Sequence, residues 1–124
     1  MASFPWFKHY PKGTPETIGA YEYQSLIELF EASSRKFADR VAFENFGKSM
    51  TFAEVDRLSN HFAAYLQNEL KLKKGDRIAI QMPNLLQFPI AFIGSLKAGL
   101  IVVKTNPLYT PREMEHQFND AGIS

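Results

Sequence analysis

The side chains that could do chemistry are few and scattered. The three histidines, His9, His61 and His116, are spaced too widely to suggest a shared metal site. Glu113, Glu115, His116 and Asp120 gather on one short stretch, but Glu113 sits at a helix-capping position and the other three read as solvated helix polarity. Lys104 stands just past an apolar strand candidate, where a dry amine would have a depressed pKa. A lysine head that reaches solvent beyond the sheet is the simpler expectation. No cysteine is present, which removes disulfides, thiolate nucleophiles and cysteine metal sites. The seven glycines form neither the spaced triplet of a dinucleotide fold nor the glycine, lysine and hydroxyl run of a P-loop, and there is no nucleophile elbow. No catalytic, cofactor-binding or metal-ligating residue is therefore assigned: all three sets are none.

One location is favoured by topology. In open α/β sheets ligands gather beyond the carboxyl ends of the strands. Here those ends lead into Pro83 and Asn84, and into Thr105, Asn106, Pro107, Leu108, Tyr109 and Thr110. These are either ordinary turn and cap residues or the border of a ligand cleft.

The elements that must position these loops come from Gly75 to Thr110. Asp76 to Met82 and Leu100 to Val103 are short, apolar and rich in β-branched residues, the pattern of strands buried on both faces of a parallel sheet. Between them lies a helix candidate that Asn84 can cap and Gly99 can end, with Ile90, Phe92, Ile93 and Leu96 as a broad apolar surface. Pro89 forces a choice, since that helix must either start late or bend. The unit predicts a right-handed parallel crossover.

The flanking segments carry equally local signals. Ser25 to Phe37 opens with Ser25 and Glu28 at capping-box spacing and repeats Leu26, Leu29, Phe30 and Phe37. Val41 to Phe46 and Lys48 to Thr51 read as a hairpin turning at Gly47. Thr51 and Glu54 open a second helix with Val55, Leu58, Phe62 and Leu66 on one stripe, and Lys71, Lys73 and Lys74 lie beyond its end. Thr110, Pro111 and Glu113 combine an N-cap, an N1 proline and a capping box. That helix runs to about Asp120, with Met114 and Phe118 inward and Gly122 as its stop.

The expected fold class is α/β: a partial open, mostly parallel sheet with flanking helices. Residues 1–24, aromatic and rich in proline and glycine, predict an extended arm whose rings pin it to the domain or meet a membrane surface or a second copy. Residues 25–124 predict a truncated first part of a domain, because Ile123 and Ser124 follow the Gly122 stop as another strand would. Such a sheet leaves an unsatisfied edge, which predicts self-association by edge pairing or exchange of an element.

With 124 residues, 45% hydrophobic and 22% charged, the chain is long enough for one domain and its core. Its net charge of +1 and pI near 8.0 arise from intermixed acids and bases, so no global field recruits nucleic acid. The N-terminus lacks the order of a secretory signal and no run is long enough to span a bilayer, so a cytoplasmic location is expected.

Two runs are recognisable as wholes: YQSLIELFEASSRKFADRVAFENFGKSMTFAEVDRLSNHFAAYL, and LKKGDRIAIQMPNLLQFPIAFIGSLKAGLIVVKTNPLYTPREMEHQFNDAGIS. They closely resemble the opening of bacterial long-chain fatty acid CoA ligases, the acyl-CoA synthetases of the adenylate-forming superfamily. NPLYTPREMEHQFNDAG is specific to the long-chain branch, whereas GDRIAIQMPN and KAG are shared widely. The resemblance implies a ligase that uses ATP and magnesium to turn a fatty acid into an acyl adenylate, then lets the CoA thiol displace AMP. It places the adenylate site in a Ser/Thr/Gly-rich phosphate loop, later aromatic and acidic motifs, and a lysine of a mobile C-terminal domain. None of these occurs here, so no catalytic residue is carried over.

What matches is the first part of the large N-terminal domain, supplying scaffold and one wall near the cleft. One departure is Lys104, where the family usually has asparagine. The expectation is thus an N-terminal fragment of such a ligase, itself inactive, in the cytoplasm, with a peripheral contact at the inner membrane face left open. ATP, magnesium and CoA belong to the parent enzyme and none is expected to bind productively here. The alternative is a free-standing, non-enzymatic α/β module that self-associates. A receiver-like signalling domain would need clustered acids at an early strand end, which Glu44 and Asn45 do not supply.

Overall fold

Two threonines fix where two of the helices begin. In the computed structural model, which describes residues 4–123, Thr51 Oγ1 accepts the Glu54 N–H at 3.2 Å while Glu54 accepts the Thr51 N–H at 2.8 Å. This closed capping box opens α2, Phe52–Asn68. Thr110 and Glu113 close a second box ahead of α4, Pro111–Ala121, with Pro111 at the first helical position and Gly122 ending the helix at φ 65°. The third expected box is only half formed. Ser25 caps α1, Leu26–Lys36, by accepting the Glu28 N–H, but the Glu28 carboxylate takes the N–H of Gln24 at 2.7 Å.

Between α1 and α2 lies an antiparallel hairpin, β1 Val41–Asn45 with β2 Lys48–Thr51. Its turn is Phe46 and Gly47, both at positive φ (48° and 71°), as a two-residue turn matching strand twist requires. The hairpin is a sheet of its own. A second two-stranded sheet pairs β3, Arg77–Gln81, with β4, Ile101–Thr105, in parallel from Arg77 opposite Ile101 to Gln81 opposite Thr105. The α/β class holds, with the sheet present as these two small pieces.

The connection between β3 and β4 is α3, Gln87–Lys97. Asn84 does not cap it. The helix starts late, with Leu86 at the N-cap and no capping side chain, and Pro89 becomes its third helical residue. There its missing N–H costs nothing, because the first turn has no intrahelical acceptors to offer. At the other end Gly99 turns at φ 83°, its N–H donating to Leu96 O and that of Leu100 to Ser95 O.

The core lies where α2 crosses α3. Val55, Ser59, Ala63 and Leu66 of α2 are buried, as are Ala91, Ile93, Gly94 and Ser95 of α3. Small residues let the backbones approach: a Cβ on Gly94 would lie 2.8 Å from Ser59 O and 2.9 Å from Phe62 Cδ1. Leu66, Ala63, Ala98 and Leu100 pack together under Phe62, Leu72 and Ile78.

The strands are not buried on both faces. Ile80 is the buried residue of β3 and Thr105 that of β4, while Ile101 is 48% exposed, since a two-stranded sheet covered by α3 leaves much of its other face and both edges open. Leu26 and Leu29 of the apolar repeat on α1 are exposed, and Met114 and Phe118 of α4, expected to face inward, are half-buried.

Candidate functional site

The end of β3 is bonded to the loop that follows β4. Gln81, the last residue of β3, reaches across with its side-chain amide to Asn106 O at 3.4 Å. Asn45 at the end of β1 donates its side-chain amide to Asn84 O, tying the hairpin to the first loop. In the second loop Asn106 Oδ1 accepts the Leu108 N–H at 3.0 Å and Asn106 O accepts the Tyr109 N–H at 3.1 Å. This is the local bonding that makes asparagine a turn residue, and it explains why the loop can lead directly into the Thr110 cap.

Thr110 and Glu113 set the charge at this end. The hydroxyl and N–H of Thr110 donate to the same Glu113 oxygen at 2.7 and 2.8 Å. The side-chain bond first, and the backbone bond second, hold the Glu113 carboxyl below its ordinary pKa. Tyr109, Arg112, His116 and Asp120 line a hollow beside it. Lys104 is not part of either loop's bonding: its ammonium lies 5.5 Å above the Phe88 ring, exposed as expected and held by a cation–π contact.

Other candidates stay apart. His9, His61 and His116 lie exposed on the N-terminal arm, α2 and α4. Among the described residues no three His, Asp or Glu side chains converge where a metal ion could be held. A phosphate cradle is equally lacking in fit, since the loops present Pro83, Asn84, Asn106 and Pro107 rather than a run of glycine amides.

Sequence reasoning missed two features. Thr105 is buried at the carboxyl end of β4 with its hydroxyl unpartnered among the described residues, as is Gln117 Oε1, whose amide donates to Lys104 O at 3.1 Å. The second is an apolar groove of about 560 Å³ between α1, the hairpin and α3, walled by Leu26, Phe30, Phe43, Phe88, Phe92 and Leu96. The stacked pair Phe88 and Phe92, four residues apart on α3, was the available signal.

The chain's sequence matches the AMP-binding enzyme family over residues 30–124. It is 56% identical over 119 residues to a long-chain-fatty-acid–CoA ligase of Salmonella typhimurium, covering 96% of this chain and 21% of that protein. A Bacillus subtilis protein of the same name is 39% identical over 120 residues, covering 97% and 21%. The chain thus spans about a fifth of the length of these relatives.

Solved structures give the same picture. The N-terminal subdomain of Klebsiella oxytoca NpsA, in complex with 3-hydroxyanthranilyl-AMSN, superposes with a TM-score of 0.76 at 28% identity, over 79% of this chain and 25% of that one. Apo MbtA of Mycobacterium smegmatis gives 0.75 at 30% identity, over 81% and 19%. With the sequence match and the α/β architecture in agreement, the chain belongs to the AMP-binding enzyme family.

Proposed function

We propose that the chain is the opening part of the adenylation domain of a cytoplasmic long-chain fatty acid–CoA ligase, with residues 25–124 as scaffold and residues 1–24 as an arm. The identity of 56% over nearly its whole length to a protein of that name carries this reading. The parent enzyme would join a fatty acid carboxylate to the α-phosphate of ATP with release of pyrophosphate, then transfer the acyl group to the CoA thiol with release of AMP, magnesium assisting.

Among the described residues no three acidic or histidine side chains gather as a metal site, and no chemical step is assigned to them. Their part is positional. The loops after β3 and β4, the second bonded to the end of β3 through Gln81 and Asn106, border the cleft in this reading.

The test is ATP–pyrophosphate exchange driven by a long-chain fatty acid. The full ligase should catalyse it, and the 124-residue chain alone should give none. Exchange by the chain alone, or no exchange by the full protein, defeats the proposal.

The open edges of β3 and β4, with Ile101 half exposed, favour a second reading in which the chain self-associates through strand pairing as a non-enzymatic module. Sedimentation at high concentration distinguishes it, a monomer ruling it out.

A further inference from the structure

Among the described residues each two-stranded sheet leaves two outer edges, and three of the four are blunted. β1 shifts register between Val41 and Phe43, β2 is only four residues long, and β4 carries Lys104, whose carbonyl already accepts the Gln117 amide at 3.1 Å. β3 is the exception. Its register against β4 runs unbroken from Arg77 to Gln81, and its one charge, Arg77, stands at the first residue. The Ile101 N–H donates to Asp76 O at 2.8 Å. In a parallel ladder that bond turns the N–H and C=O of Ile78 and Ile80 toward β4, and those of Arg77, Ala79 and Gln81 outward. No strand among the described residues lies beyond them.

The sequence of this edge is complementary to itself. Two copies of β3 laid antiparallel about Ala79 put Arg77 opposite the partner's Gln81, Ile78 opposite the partner's Ile80, and the two Ala79 residues opposite each other. Every outward donor then meets an acceptor, because the Arg77 and Gln81 pairs and the central alanines are hydrogen-bonded pairs. The guanidinium meets a neutral carboxamide instead of its own copy, so no like charges stand opposite one another. Ala79 adds no bulk at the axis. On the other face the partner's isoleucines continue the apolar row of Ile78 and Ile80, where Ile78 already packs on Leu66 and Ala98.

We propose that two copies of the chain pair through β3, antiparallel and in the register centred on Ala79, joining the two-stranded sheets in the order β4-β3-β3-β4. Such a two-fold contact is closed, so assembly stops at the dimer and does not run on into fibres. The inference rests on the self-association reading and adds its surface, partner and register.

The chain has no cysteine, so an Ala79→Cys variant carries a single thiol. The paired register sets the two Cα atoms about 5.5 Å apart, within disulfide reach, and mild oxidation should give a covalent dimer. A Glu115→Cys variant, on the exposed side of α4, should stay monomeric under the same oxidation. Ala79→Pro should abolish the dimer in sedimentation while keeping the fold, because the N–H it removes points away from β4. If melting shows that variant unfolded, amide exchange of the unaltered chain decides the matter. Raising the concentration should protect the amides of Arg77, Ala79 and Gln81 and leave those of Val102 and Lys104 unchanged. A monomer at high concentration overturns the inference and the self-association reading together. A dimer that survives a folded Ala79→Pro variant, fails to cross-link through Ala79→Cys or protects none of the three amides overturns this register and leaves self-association to another surface.

Discussion

Lys97 Nζ lies 2.6 Å from Asp56 Oδ1, locking the end of α3 to the start of α2. The same ammonium donates to Asn60 Oδ1 at 2.7 Å and to Asp56 O at 3.3 Å, so its three donors are all used, and the Phe30 ring of α1 sits 5.4 Å from it. The lysine side chain is 7% exposed and the aspartate 37%. That asymmetry predicts unequal costs. Asp56→Ala leaves a buried ammonium short of its counter-charge and should cost about 2–3 kcal/mol, below the value for a fully buried pair because the carboxylate is partly wet. Lys97→Met leaves a carboxylate that water can reach and should cost less. Urea unfolding of the two variants checks the order; equal losses would mean the ammonium is not desolvated.

Gly94→Ala should destabilise. A methyl group there meets the Ser59 carbonyl at 2.8 Å, and main chain cannot rotate away. Overpacking of about 1–3 kcal/mol outweighs the roughly 1 kcal/mol by which alanine favours a helix over glycine. A lower urea midpoint with an unchanged slope is the expected outcome, and a higher midpoint would show that α2 and α3 can separate freely.

The box at the start of α4 should be sensitive to acid. The folded Glu113 carboxyl has a pKa held below its ordinary value by its bonds to Thr110, so its stabilising contribution is present above the unfolded value. It is lost as pH falls from about that value through the folded pKa. Protection of the α4 amides, taken as exchange relative to the intrinsic rate at each pH, should therefore fall as acid protonates Glu113, and Glu113→Gln should remove that step. Thr110→Ala should weaken the same helix by about 1 kcal/mol at neutral pH. Because α4 has no buried residue, the loss should appear as local opening rather than global unfolding.

In the proposed full-length ligase, Asn106→Ala and Tyr109→Ala should raise the substrate KM or lower kcat, the outcome expected of a loop that borders the cleft. Asn106→Ala also removes the acceptor for the Leu108 N–H, at about 1 kcal/mol. Steady-state kinetics beside thermal melts separate the effects. Wild-type kinetics with a stability change alone would reduce the loop to a turn.

Signals confined to a few residues could be read from the sequence. Thr51 with Glu54, and Thr110 with Pro111 and Glu113, form caps through bonds that span three residues, and the hairpin turn is confined to Phe46 and Gly47. The Asn84 cap failed because the position of Pro89 in the first turn outranks a capping side chain. Strand burial also failed, since it depends on how many strands lie alongside and what covers each face, which no window of five residues encodes. The packed face of α3 was read as Ile90, Phe92, Ile93 and Leu96, when the tight contact with α2 runs through Ala91, Gly94 and Ser95. Large apolar residues mark a face that wants burial; small ones mark where backbones meet. The strand-end loops were singled out by topology alone, and the bond between Gln81 and Asn106 spans 25 residues and needed the fold.

Side-chain interfaces loosen as rotamers exchange, but at Gly94 the spacing of α2 and α3 is set by main-chain atoms. Because α3 is also the tether between β3 and β4, this close crossing holds the small sheet to α2 at a separation that only a residue without a side chain at position 94 can keep.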